Sequence, residues 1–105
     1  MRLALAALAI LALAGCGRPA PAPRTYTITI ADMAFGPTPA GARVGDTVQW
    51  VNADIFQHSA TARDGSFDVD LAPKATARTV LGRAGTIDFS CRYHPGMTGR
   101  IAVAP

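Results

Sequence analysis

The sequence predicts an all-β protein, an antiparallel Greek-key sandwich of about eight short strands. Three observations predict it. Apolar and polar residues alternate with period two in several short stretches. Turn signals built on Gly, Pro and Asp recur roughly every ten residues. All seven acidic residues are Asp, and no stretch beyond the N-terminal leader has the periodicity of an amphipathic helix.

The chain opens with Arg2 and an unbroken apolar run from Leu3 to Ala14. That run is shorter than the roughly 20 residues a membrane-spanning helix needs, so it reads as an export signal. It ends in Leu13-Ala14-Gly15-Cys16, which resembles the lipobox of bacterial lipoproteins. The resemblance implies cleavage before Cys16, lipid on its thiol, and a protein anchored to a membrane in the periplasm or cell envelope. Residue 17 is Gly rather than Asp, so no inner-membrane retention signal is carried with it. Gly17 to Arg24 (GRPAPAPR) favours extended polyproline II and cannot build a core, which makes it a tether. The expected organisation is a signal peptide at 1–15, a lipidated Cys16 with its tether at 16–24, and one domain at 25–105.

Within that domain Thr25 to Ala31 (TYTITIA) sets Tyr26, Ile28 and Ile30 on one face, the mark of a half-buried strand. Met33 and Phe35 continue the apolar parity until Gly36-Pro37-Thr38-Pro39 breaks it. Val44 leads into a Gly45-Asp46 turn. Thr47 to Asn52 (TVQWVN) is a strand that sends Val48 and Trp50 into the core. After an irregular stretch to Gln57, His58 to Ala62 is a short extended piece closed by an Asp64-Gly65 turn. Phe67, Val69 and Leu71 then alternate with Asp68 and Asp70. Ala75 to Leu81, Thr86 to Cys91 and Thr98 to Val103 complete the strands, with a turn at Gly82 to Gly85. A domain of 81 residues has a marginal core. A metal that prefers the folded site would stabilise it.

The formal net charge is +3, and the Lys and Arg residues stand singly among the Asp. No basic cluster interleaved with aromatics exists, which leaves nucleic-acid binding without support. The two cysteines, Cys16 and Cys91, each have a separate use, so no disulfide is expected between them.

The chemistry concentrates in Cys91-Arg92-Tyr93-His94-Pro95-Gly96-Met97, where a thiol, an imidazole and a thioether follow at intervals of three. Pro95 and Gly96 forbid a regular helix, so a tight loop turns the three side chains toward one point. Such soft or borderline donors suit copper better than magnesium or calcium. His58 supplies a fourth group, since strands distant in sequence become neighbours in a sandwich. Two His and one Cys with a weak axial Met make a blue-copper electron-transfer site.

With those residues in place, the sequence resembles the type 1 copper proteins, the cupredoxins of the plastocyanin and pseudoazurin superfamily, and among them most of all the amicyanins. The resemblance covers nearly all of Thr25 to Val103. It includes Ile30-Ala31-Asp32-Met33, the run from Val44 to Asn52, and Gly85 to Phe89 leading into Cys91. It implies His58, Cys91 and His94 as equatorial copper ligands and Met97 as the axial one. It also implies a backbone donor to the Cys91 sulfur near Asn52 and Ala53, and an Asn52 side chain that pins the ligand loops together. His94 becomes the electron port, ringed by Met33, Phe56, Pro95 and Gly96 as an apolar patch for docking a redox partner protein. Arg92 and Arg100 would flank that patch and favour acidic partners. Two positions depart from the pattern. Tyr93 stands before His94, and Gln57 before His58, where the resembled proteins carry proline.

Three other readings use the same residues. One is a metal-free sandwich with a core Cys and Met and two surface histidines. Another is a carrier or store of copper that passes on metal rather than electrons. The third is a zinc site, since Cys and His also suit zinc. An enzyme is disfavoured, because four-coordinate copper leaves no open position and no second metal cluster, nucleophile–base pair or phosphate loop is present. The expectation is a monomeric, lipid-anchored carrier of one electron.

Overall fold

A computed structural model describes residues 21–105. The expected signal sequence, Cys16 and the start of the tether lie outside the described residues. The nine strands are β1 (Thr25–Ala31), β2 (Ala34–Phe35), β3 (Ala42–Arg43), β4 (Thr47–Asn52), β5 (His58–Ala62), β6 (Asp68–Leu71), β7 (Thr76–Val80), β8 (Gly85–Ser90) and β9 (Thr98–Ala104). They form two sheets, one in the order β2-β1-β4-β7 and the other β3-β9-β8-β5-β6.

The sandwich is as the sequence predicts, with two differences of detail. The described residues form nine strands rather than about eight, because β2 and β3 are two residues each, too short to show alternation. The sheets are mixed rather than antiparallel throughout: β1 runs parallel to β4, and β3 parallel to β9. The cause is a crossover. After β2 the chain passes to the edge of the other sheet as β3, then returns to lay β4 alongside β1 in the same direction.

The alternation that marks the strands is the alternation that fills the core. Ile28, Ile30, Val48 and Trp50 from one sheet and Leu71, Ile87, Phe89 and Ile101 from the other are all buried. Each such side chain contributes roughly 1.5–3 kcal/mol by leaving water. Trp50 donates its Nε1–H to Thr79 Oγ1 at 3.1 Å, so its one polar atom is satisfied in the interior. The Phe89 ring packs edge-on to Trp50 and Phe35, at centroid distances of 5.2 and 4.8 Å. Phe89 stands opposite Gly99 across the β8–β9 ladder, and its ring fills the space a side chain at 99 would take.

The two ends of the sandwich differ. At one end Thr25 pairs with Thr47, and the Asp46 carboxylate accepts the backbone N–H of Arg24 at 2.8 Å and of Arg43 at 2.9 Å. At the other end Ile30 pairs with Asn52, and Ala53 N–H donates to the Ile30 carbonyl at 2.8 Å. The chemistry lies at this second end.

Candidate metal centre

β5 begins with His58, and its neighbour β8 stops at Ser90. The antiparallel register sets Thr61 opposite Ser90, so the start of β5 overhangs the end of β8 and meets the chain just past it. That chain turns back through Pro95 and Gly96, where Gly96 takes a φ of +94° that favours glycine. Cys91 N–H donates to the Met97 carbonyl at 3.0 Å and Met97 N–H to the His94 carbonyl at 3.2 Å, which closes the loop. Cys91 and Met97 end up buried together in the core.

His58, Cys91 and His94 thereby converge, with one donor atom from each within 4.8 Å of the others. His58 Nδ1 lies 3.2 Å from His94 Nδ1 and 3.8 Å from Cys91 Sγ, and His94 Nδ1 lies 3.5 Å from that sulfur. The point equidistant from all three is about 2.0 Å from each, close to imidazole and thiolate bond lengths to a first-row metal. His58 is fully buried and His94 partly exposed, so one imidazole faces the core and the other the surface.

The tautomer of His58 follows from its other nitrogen. Nε2 lies 2.8 Å from the Asp54 carboxylate, an acceptor, so Nε2 carries the hydrogen and Nδ1 presents its lone pair to the centre. Asp54 is held in turn. Its Oδ1 accepts the N–H of Asp32 at 2.8 Å, its Oδ2 that of Met33 at 3.0 Å, and its own N–H donates to Asn52 Oδ1 at 3.0 Å. Asp32 and Met33 form the β1–β2 turn with φ of +52° and +61°, conformations that side chains disfavour and that these hydrogen bonds help to hold. The Met33 amide and the His58 ring hold the Asp54 carboxyl below the usual carboxylate range.

Burial pushes the Cys91 thiol up, but the Ser59 amide and then the His94 and His58 rings outweigh it and bring it from its ordinary 9.0 down to about 6. Cys91 is therefore poised to be a thiolate, the form that binds metal. The amide donor is Ser59, at 3.4 Å from Sγ. This corrects the expectation that the backbone near Asn52 and Ala53 serves the sulfur. Those amides donate to Ala75 and Ile30. They belong to the other sheet, whereas Ser59 lies on β5 beside β8. Asn52 is a pin, but of different parts. Its Nδ2 donates to the carbonyls of Phe56, Leu71 and Ala72, tying the segment before His58 to the end of β6 rather than to the Cys91–Met97 loop.

Met33 and Phe56 are exposed, as are Pro95 and Gly96, and the Phe56 ring stands edge-on to the His94 ring at 6.4 Å. Ile55 and Tyr93, which sequence reasoning did not place in the patch, are exposed beside Phe56 and His94 in the chain. The two arginines are engaged: Arg92 pairs with Asp68 and Arg100 with Asp88. Sequence reasoning also missed Asp54 and Ser59. An acid four residues before a histidine was the one available signal for Asp54, and Ser59 gives none because it acts through its backbone.

Comparison with known proteins agrees with this geometry. Amicyanin from Paracoccus versutus is 30% identical over 67 residues, which is 58% of this chain and 51% of that protein. Amicyanin from Paracoccus denitrificans is 29% identical over 80 residues, covering 70% of this chain and 61% of that protein. The chain thus matches between about half and three-fifths of the length of these curated relatives. The structure superimposes on a reduced Cu(I) form of an amicyanin mutant at pH 4 with a TM-score of 0.65 and 27% identity, over 75% of this chain and 81% of that one. Residues 3–103 match the cupredoxin-like domain, and the chain belongs to that family.

Proposed function

We propose that the protein is a type 1 copper electron carrier, in which His58, Cys91, His94 and Met97 would hold one copper ion and one electron at a time would pass between protein partners. The observation that carries this reading is the closed triangle of two imidazole nitrogens and one thiol sulfur, sized for a single ion. Copper bound there supplies a Cu(I)/Cu(II) couple. The similar structure of an amicyanin mutant in a reduced Cu(I) form supports copper over zinc.

The chain's own residues supply the rest. Asp54 fixes the ring of His58, and Ser59 N–H accompanies the Cys91 sulfur, so the ligands are oriented before metal arrives. Burial of His58, Cys91 and Met97 excludes water. His94 is the way out for the electron, because its ring is the ligand that reaches the surface. A redox partner docks on the apolar ground of Met33, Phe56, Pro95 and Gly96 around it. With Arg92 and Arg100 already paired, apolar contact rather than charge governs that docking. The carrier works as a monomer on the periplasmic side of the cell envelope, held by lipid on Cys16, a reading supported by the lipobox. Mass spectrometry of the membrane fraction tests the anchor, and a mature chain without acyl groups on Cys16 removes it.

Copper loading of the protein should give an intense blue band near about 600 nm, the signature of a copper–thiolate bond. Cys91→Ser should abolish it. A blue band that persists in that variant would overturn the ligand assignment. Voltammetry should show reversible cycling with copper retained. Ready loss of Cu(I) to a chelator would instead mark a carrier of metal.

A further inference from the structure

We infer that Arg92 and Tyr93, the two residues between the ligands Cys91 and His94, clasp the ligand loop onto edge strand β6 and are positioning residues for the metal centre. The inference deepens the copper reading, but its first test below is independent of copper.

The two positions that depart from the proline pattern touch each other: Gln57 Nε2–H donates to the Tyr93 hydroxyl at 3.3 Å. Tyr93 OH in turn donates to Asp70 Oδ1 at 2.7 Å. The residues preceding both imidazole ligands, His58 and His94, are thus joined at one hydroxyl. Proline stiffens a loop by removing backbone freedom. Here side chains anchored to a strand do the same work.

Arg92 closes a second circuit. Its backbone N–H donates to Ser59 Oγ at 2.8 Å. Thr61 Oγ1 donates to Asp68 Oδ1 at 2.9 Å, and with that hydrogen committed Ser59 Oγ–H donates to Thr61 Oγ1, also at 2.9 Å. The Arg92 guanidinium pairs with the same Asp68 oxygen, so the ring begins and ends on one residue. Ser59 and Thr61 stand opposite Asp70 and Asp68 in the β5–β6 register, on the outer face of the sheet. Ser59 is nonetheless fully buried, and its Oγ is held by the Arg92 backbone N–H. An isolated surface ion pair contributes little, but here two donor paths leave Arg92, one through Ser59 and Thr61 and one from the guanidinium, and both end on the same Asp68 oxygen. The same Ser59 lends its amide to the Cys91 sulfur, so the clasp acts on the ligand's own hydrogen-bond donor.

The test uses the full chain with Tyr93→Phe, Asp70→Ala and both together. In the metal-free protein, hydrogen exchange at the Arg92 and Met97 amides should quicken about tenfold in each single variant, while the Trp50 amide in the core keeps its rate. The effects should be less than additive in the double variant, because either substitution alone cuts the shared Tyr93–Asp70 bond. After copper loading, the same variants should shift the reduction potential together, which a merely structural surface contact would not do. Unchanged exchange at both amides, effects that add in the double variant, or an unmoved potential would overturn the clasp. A protein that never turns blue would count against the copper reading alone, with the exchange data still deciding the clasp.

Discussion

Asp54→Ala removes an acceptor from three N–H groups at once: Asp32, Met33 and the Nε2 of His58. The two amides lie in an exposed turn and regain water, but His58 has 0% of its surface exposed. A buried donor left without a partner costs about 1–3 kcal/mol, which in a domain of this size lowers the melting temperature by about 5–20 °C. The effect on the centre should be larger than that on the fold. Without the carboxylate, hydrogen on Nε2 is no longer favoured, and the tautomer with hydrogen on Nδ1 cannot bind metal. Losing such a ligand partner lowers metal affinity about 10–100-fold. Competition with a chelator of known affinity measures that loss, and two-dimensional NMR of the His58 ring nitrogens reads the tautomer. Asp54→Asn should fall between, since its amide can present one acceptor but sets a donor against a donor at the other site. Copper affinity within about twofold of the parent in Asp54→Ala, with Nε2 still protonated, would refute the reasoning.

Two further expectations follow from packing and charge. A Cβ at Gly99 would sit within the Phe89 ring, so Gly99→Ala should cost about 1–3 kcal/mol by displacing a ring wedged among Trp50 and Phe35. Phe89→Leu in the same chain should recover part of this, and thermal melts showing strict additivity would refute the account. At the opposite end, the backbone N–H groups of Arg24 and Arg43 hold the Asp46 carboxyl below the usual carboxylate range. A lowered value means that its stabilisation is present above the unfolded pKa and is lost as pH falls through the folded one. Stability should therefore fall more steeply with acid, below about pH 4, in the parent than in Asp46→Asn. Parallel curves would count against it.

Much of the fold was legible because alternation is a local signal. Ile28, Ile30, Val48 and Trp50 announced their faces by parity and are buried as expected. The parallel pairing of β1 with β4 was not legible, because strand direction depends on the route taken by residues 32–46 and leaves no mark on either strand. The candidate ligands stood out because His, Cys and Met are chemically distinctive and three of them share one short loop. What holds the ligands was hidden. Ser59 acts through an amide that every residue but proline has, and Asp54 is one of seven similar acids. The clasp was hidden for another reason: Asp68 and Asp70 read as the polar half of an alternating strand, and only the register of β5 against β6 brings them under Arg92 and Tyr93.

β1 has a consequence for how the molecule can be held. It starts beside Asp46 and finishes beside the histidine-bearing end, about 20 Å further along. Whatever is fastened to the chain upstream of Thr25 grips the molecule by its foot. The head, where His94 emerges, is left clear of that attachment.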